Sequence, residues 1–573
     1  MKTIHSQLLH LLCWAIAVAG LFSCSDLLDK QPLTEISDTN VWSDPALVEA
    51  FVNARYNRIR SGWFEEPWIS SLTDETYMTW SRGCEQITQG YISPSDLGSV
   101  NWGLRQWDNV WGNISACNQF FENIDRVEFT DEAKKTRLKG EVRFIRALMY
   151  HDLVARWGGM PLITAYYTLN DREEIIRLTR STYKECIDFI VDEADRSASE
   201  LPATYSGKDQ GRATRIAALA LKSRVLLYAA SDLVNVDVKS ELTGYASPEP
   251  NRWNRAAEAA EACLGEALDN GYALFDDYGD DVKTKYTQLF LQGGHAEIFF
   301  DRQHTSSSGG ASVSIDQINS PNGYAGWGGN TPTGEFVDAF EMADGTPFSW
   351  EKYGDSPWEN RDQRLYATVL CDGDAWKSRE VEVFFHVDGN GELLTSGGLD
   401  TRYGIESHNT SITGYNMRKF IDESYVDASW NFSSRNWIWF RLAEQYLNLA
   451  EARFMEGKEA EARTALNVIR QRARMPAVTA SGEELLAGIR HERRIELCFE
   501  EHRYFDLRRW KTAAQAMNYT SQGVEVHKWP DGHKTYHPGK VVEIRKFVER
   551  MYWLPIPQSE IDKCPNLEQN PGY

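Results

Sequence analysis

RLAEQYLNLAEARFMEGKEAEARTALNVIRQRA, residues 441–473, decides the fold. Apolar and small residues recur at helical spacing on both sides of a short break. The first half places Leu442, Tyr446, Leu449, Ala450 and Phe454 on one side; the second places Ala462, Ala465, Leu466, Ile469 and Ala473. Alanines opposite larger side chains let two antiparallel helices approach closely around the connection Met455–Lys458.

Helical texture spreads outward from this pair. Val48–Arg60 is amphipathic, and Trp102–Ile124 repeats apolar residues at helical spacing. Leu138, Val142, Ile145, Met149 and Leu153 form one stripe, stopped by Gly158-Gly159 with Pro161 beyond. Arg212–Ser231 is rich in Ala and Leu, and Trp253–Asn270 in Ala. Such pairs follow the logic of a tetratricopeptide-type hairpin, whose repeat is about 34 residues. Long insertions separate the pairs, which predicts a mostly α, irregular, repeat-like scaffold. Between residues 271 and 436 the texture turns to Gly, Ser, Asn, Asp and aromatics, with strand-like runs at Glu297–Phe300 and Val381–His386. Loops on a rigid scaffold are where function usually sits.

A chain of 573 residues can bury a large core, in one body or two coupled domains. Its 83 acidic against 61 basic residues give a net charge of −22, which argues against nucleic acid as a partner. The 20 tryptophans, 25 tyrosines and 24 phenylalanines suit either a core or a sugar site, because an aromatic face matches the C–H face of a pyranose. At the N-terminus, the apolar run Leu8–Phe22 is too short to span a bilayer, which takes about 20 residues, and reads as a secretory signal. It closes on Leu21-Phe22-Ser23-Cys24, which resembles the bacterial lipoprotein box and makes Cys24 the expected lipidated N-terminus. Residues 25–40 form a polar tether. The cysteines at 84, 117, 186, 263, 371, 498 and 564 are widely spaced without a C-x-x-C pair, so buried free thiols are expected.

HERRIELCFEEHRYFDLRRW, residues 491–510, is dense in titratable groups. Two of its carboxylates could serve as the acid and base of a glycosidase. The plainer expectation is a helix knitted to its neighbours by ion pairs, suited to i,i+4 spacing. Asp276-Asp277-Tyr278-Gly279-Asp280-Asp281 offers oxygens for calcium, although solvated acidic loops are commoner. Neither a cofactor nor a metal is therefore expected. No nucleophile elbow, phosphate loop or dinucleotide fingerprint appears.

Several segments, in order, resemble one family. They are KGEVRFIRALMYHDLVARWGGMPLIT, GRATRIAALALKSRVLLYAAS, TPTGEFVDAFEMADG, RLAEQYLNLAEA, RRIELCFEEHRYFDLRRW and LPIPQSEIDKCPNLEQNPGY. Together, from Cys24 to Tyr573, they resemble the SusD/RagB outer-membrane lipoproteins of Bacteroidetes; Cys564 stands where the family tail more often has asparagine. The resemblance implies eight scaffold helices in four tetratricopeptide-like hairpins, with variable loops on one face. It further implies a lipid-anchored protein facing the cell exterior, which caps a SusC-like TonB-dependent transporter and hands it oligosaccharide, or in some members peptide, without chemistry. The implied order is a signal peptide over 1–23, the tether over 24–40, an N-terminal region over 41–245 and a C-terminal region over 246–573, packed as one body.

The family motifs identify the scaffold, so ligand residues must come from the loops. A glycan site needs an aromatic platform and polar groups that satisfy hydroxyls. Trp63, Trp68, Tyr77, Trp80, Tyr324 and Trp327 are the aromatic candidates, with Asp74, Asn101 and Asn322 as polar neighbours. Flanking glycines leave the Trp327 ring little local packing. Trp107 and Trp111, spaced i,i+4, are assigned to the core. A glycan-binding subunit of an importer is the favoured reading; a peptide-binding subunit and a surface glycosidase are the alternatives.

Overall fold

Polar caps and apolar runs together set where the helices begin. Asp44 accepts the N–H of Ala46 and Pro45 opens helix α1, Pro45–Tyr56. The computed structural model describes residues 41–62, 68–80, 82–96, 107–247, 249, 251–304, 315–424 and 435–573, apart from the side chain at 108. Cys24, the stretch 25–40, Trp63 and Asn101 lie outside the described residues.

Among the described residues, eight helices form the scaffold, each packed on the next. They are α2 (Trp107–Asn123), α3 (Glu132–Trp157), α4 (Tyr183–Glu200), α5 (Arg215–Ala230), α6 (Arg252–Asp269), α7 (Leu442–Met455), α8 (Glu459–Arg472) and α9 (Gly482–Glu496). Asp131, Thr182 and Thr214 cap α3, α4 and α5, and Thr182 and Glu185 complete a capping box. The α3 stripe is buried as expected, from Leu138 to Leu153. Helices α6 and α7 pack together although residues 270–441 separate them. The long insertion is thus an excursion from a continuous stack.

The expected α7–α8 hairpin is present, with one correction. Tyr446, Leu449 and Phe454 are only partly buried, whereas Ala443, Leu447 and Ala450 lie in the core. The reason is that α7 sits mid-stack and also buries a polar side. Glu444 holds Arg224 at 2.7 Å, Asn448 accepts from Arg493 at 2.8 Å, and Glu451 holds Arg509 at 2.6 Å. A period built on apolar residues alone misses that side.

The strands serve the loops. Among the described residues, those of three or more residues are, in chain order, β1 (Thr76–Met78), β2 (Ile298–Arg302), β3 (Asn330–Pro332), β4 (Phe384–Val387), β5 (Leu393–Gly397), β6 (Trp437–Arg441), β7 (Thr520–Lys528) and β8 (Lys534–Ile544). β1 pairs with β3 and β2 with β6, both antiparallel. The largest sheet runs β8-β7-β4-β5, with β7 parallel to β4. The molecule is mostly helical, with short strands confined largely to the excursion and the C-terminal hairpin. All seven described cysteines are free, six of them buried and Cys564 half-buried. Among the described residues, no helix is long and apolar enough to cross a membrane.

Candidate functional site

The β1–β3 pair builds the candidate site. Tyr77 lies opposite Thr331, so the residues leaving β1 and entering β3 emerge at the same end. The pairing continues one step as Thr79 N–H donates to the Gly329 carbonyl at 2.9 Å. Trp80 and Trp327 then meet edge to face, with centroids 5.6 Å apart and planes at 76°. Both rings are half-buried. Trp80 Nε1–H donates to the His408 carbonyl at 3.2 Å, and the Arg82 guanidinium sits 5.8 Å from the Trp80 ring.

The glycines around Trp327 act differently from the expectation. They do not leave the ring without packing, since it rests against Trp80. Instead they let the loop close on itself: a Cβ on Gly326 would fall 2.1 Å from the Ser320 carbonyl. Gln317, Ser320 and Ile318 carbonyls accept the N–H groups of Trp327, Gly328 and Gly329 at 2.7, 3.0 and 2.7 Å. The turn is held rigidly, so the indole is presented in a fixed position.

Four other candidates are withdrawn into the fold. Trp68 is buried against Phe420 at 5.8 Å. Asp74 is buried between Arg494 and Arg503, at 3.1 and 2.7 Å. Burial would raise its carboxyl, but the two guanidinium groups outweigh that and hold it below the usual carboxylate range. Asn322 is buried and ties down the 399–411 loop, donating to the Thr401 and Glu406 carbonyls at 2.8 and 2.9 Å and accepting from Glu406 N–H at 3.0 Å. Tyr324 is buried with its hydroxyl on the Trp376 carbonyl at 2.7 Å and Arg379 stacked 3.9 Å over its ring. In each case a polar or aromatic residue in a loop found its partners inside the protein. Tyr77 is half-buried, and burial followed by the Glu543 carboxylate raises its phenol. Trp107 is buried as expected, while Trp111 is half-buried and the two line an apolar cavity of about 370 Å³.

The 399–411 loop was not singled out from the sequence. It supplies the His408 carbonyl under Trp80, and its Leu399, Ile405, Glu406 and His408 side chains are exposed. Its signal was the polar, glycine-containing stretch Arg402-Tyr403-Gly404-Ile405-Glu406-Ser407-His408-Asn409, which no periodicity marks.

The charge-rich segment 491–510 is two helices rather than one. Helix α9 ends at Glu496, residues 497–501 turn with Phe499 and Glu501 at positive φ, and α10 (His502–Arg509) follows. The break lets Glu500 and Glu501 point at different partners. Arg441 takes Glu500, Glu496 and Glu297 at 2.7, 2.8 and 2.8 Å, while Arg60 takes Glu501 at 2.6 Å. Arg364 holds Glu492, and Arg493 holds Asp506. Burial opposes the ionised Glu496, yet Arg472, Arg441 and Arg364 push its carboxyl well below the usual range. A general acid needs the opposite shift. In the acidic loop, Asp276 pairs with Lys285, Asp280 lies 2.7 Å from Arg474, and Asp281 caps the helix Val282–Leu291. Among the described residues, no group of three or more His, Cys, Asp or Glu is arranged to hold a metal.

Comparison with known proteins agrees with this architecture. Residues 296–573 match the family model described as "SusD family", and residues 27–227 match one described as "Starch-binding associating with outer membrane". A solved SusD-like protein from Bacteroides fragilis is 32% identical, with a TM-score of 0.75 over 95% of this chain and 100% of that one. A SusD-like carbohydrate binding protein from the same organism has the same fold at 23% identity, with a TM-score of 0.74 over 92% and 100% of the two chains. SusD-like protein P38 of Formosa agariphila is 24% identical over 88% of this chain and 91% of its own length.

Proposed function

The chain belongs to the SusD family, and from that premise we propose that it is a non-catalytic glycan-binding lipoprotein of the cell surface. It would be anchored in the outer membrane through Cys24, captures oligosaccharide at the loop face and passes it to a SusC-like TonB-dependent transporter. One matched family model is described as starch-binding, and one structural relative as carbohydrate-binding. The observation that carries the reading is the Trp80–Trp327 pair, two half-buried indoles fixed edge to face beside the polar rim of the 399–411 loop. Aromatic faces beside hydrogen-bonding groups suit the alternating apolar and hydroxyl surfaces of a sugar. The carboxylates of 491–510 are committed to ion pairs, which favours binding without turnover.

Affinity electrophoresis against purified polysaccharides tests the proposal. At least one polysaccharide should retard the protein, the Trp80→Ala/Trp327→Ala double variant should run free, and day-long incubation should release no product. Retardation that survives the double variant would remove the site assignment. Binding confined to peptides would replace the glycan by a peptide ligand. Product release would make the protein a hydrolase.

A further inference from the structure

A second recessed surface lies apart from the tryptophan pair. The turn at 207–212 and the stretch 293–304 bound two adjoining cavities of about 430 and 400 Å³. They share Gln210, Gly211, Arg212, Phe300, Asp301 and Gln303, and include no residue of 317–329 or 399–411. Each volume falls within the ~300–1,000 Å³ of small-molecule sites.

Asp301 is the unusual group there. It is only 7% exposed, lies on β2 opposite Ile438 and lines both cavities. Its Oδ2 accepts from Asn436 Nδ2 at 2.7 Å, and the Gln303 amide also donates to it. Among the described residues no lysine or arginine forms an ion pair with it, in contrast to the buried carboxylates of 491–510. Burial raises its carboxyl. The neighbouring Arg212 is occupied by Glu141 and Asp209, at 3.0 and 2.7 Å. The backbone N–H of Asp301 bonds its own carboxylate as well. An ionised carboxylate has roughly four acceptor positions, so one remains beyond these three donors.

The walls add complementary chemistry. Gln210, Asn270, Gln303 and Asn436 present side-chain amides, each both donor and acceptor, and Tyr272 offers a half-buried ring. Hydroxyl groups are likewise donor and acceptor, so adjacent hydroxyls can satisfy a carboxylate and an amide together. The Gly211 backbone lies directly beneath Gln303, whose Nε2 would be 2.1 Å from a Cβ there. The amide is thereby held beside the turn.

We propose that this groove is a second carbohydrate-binding subsite, in which Asp301 accepts a hydrogen bond from one of two adjacent sugar hydroxyls and the Gln303 and Asn436 amides bond their oxygens. The proposal rests on the glycan-binding reading above, but uses a separate surface. Hydrogen–deuterium exchange on the full chain tests it, with millimolar maltoheptaose, laminarihexaose, xylohexaose and galacturonic acid oligomers as probes. At least one probe should slow exchange several-fold over 204–212 and 293–304, besides slowing it over 317–329. Gln303→Ala, at an exposed side chain, and Asp301→Asn should each reduce the groove protection at least five-fold and leave that at 317–329 intact. Protection at 317–329 alone overturns the second subsite and leaves the proposed function standing. Protection in the groove alone, lost in Gln303→Ala, supports the subsite and removes the tryptophan assignment. Protection at neither place by any probe overturns both, and groove protection by a casein peptide digest alone replaces the sugar by a peptide.

Discussion

Segment 491–510 and the Trp80–Trp327 cluster differ in how fully their side chains are already satisfied. In the former, guanidinium and carboxylate groups meet in the interior, where Glu496 alone faces Arg441, Arg472 and Arg364. In the latter, two large indoles touch each other and remain half exposed. Removing a charge from water is costly and the mutual attraction only balances that cost when geometry is good. Residues committed to such a network have little left for a ligand. Density of reactive groups in a sequence is therefore a poor guide to a site, and incompletely packed aromatic area is a better one.

The largest effect should come from opening the ionic network. Glu496→Ala leaves Arg441 and Arg472 facing less negative charge in the interior, and should cost about 3–5 kcal/mol of stability. Glycan affinity of the fraction that stays folded should be unchanged. Denaturant titration and calorimetry measure the two separately, and a loss of affinity at full stability would put the network in the ligand site.

Glu75 joins the two regions. It precedes β1, which leads to Trp80, and its carboxylate accepts Phe499 N–H from the turn after α9. Burial, and then the Asp74 charge, push its carboxyl up to about 8. The folded state thus holds a proton that the unfolded chain releases near pH 4.5. The stability this group contributes is complete below about pH 4.5 and is lost as the pH rises to about 8. Glu75→Gln keeps an acceptor for Phe499 and removes the titration. It should match the wild type at pH 5 and exceed it at pH 9 by about 2 kcal/mol, allowing for screening by Arg494 and Arg503. Parallel melting curves from pH 5 to pH 9 would show that Glu75 is ionised throughout.

At the exposed end of the contrast, Trp327→Ala should weaken oligosaccharide binding about ten-fold, or ~1.4 kcal/mol. The melting temperature should barely move. Trp80→Ala should act in the same direction, and a double-mutant cycle should return about 0.5–1.5 kcal/mol of coupling, the worth of an edge-to-face pair. Additive losses would mean that the indoles bind separate sugars without supporting each other.

The scaffold was legible because each helix repeats a local pattern: the Leu138–Leu153 stripe, the alanines of α8 and the Gly158 stop all follow from spacing. What spacing cannot show is the company a polar residue keeps. Asp74 and Arg503 lie 429 positions apart, and Asn322 and Thr401 lie 79 apart. No periodicity connects them, so residues that close the fold looked free to close on a ligand. The glycines beside Trp327 correctly marked a special loop but for the wrong reason, since they serve its closure onto residues 317–320. Likewise, the helical reading of 491–510 missed a break that exists to aim Glu500 and Glu501 at distant arginines.

Tyr324 tests the division at its boundary, with the smallest effect. It stands three residues before Trp327 in the same glycine-rich loop, and both are aromatic candidates by sequence. The structure separates them by what each ring already touches. Tyr324 gives its hydroxyl to Trp376 and Arg379 carbonyls at 2.7 and 3.1 Å and lies under Arg379, which is itself fixed by Asp400 at 2.8 Å. Tyr324→Phe keeps the ring and its packing and removes one donor, leaving buried carbonyls short of a partner. Such a loss costs about 1 kcal/mol, which in a chain of this size lowers the melting temperature by about 1–2 °C. Affinity for oligosaccharide should stay within two-fold of the wild type. If calorimetry instead finds a ten-fold loss with an unchanged melting temperature, a buried and satisfied residue is serving the ligand, and the rule that separates the two regions is wrong.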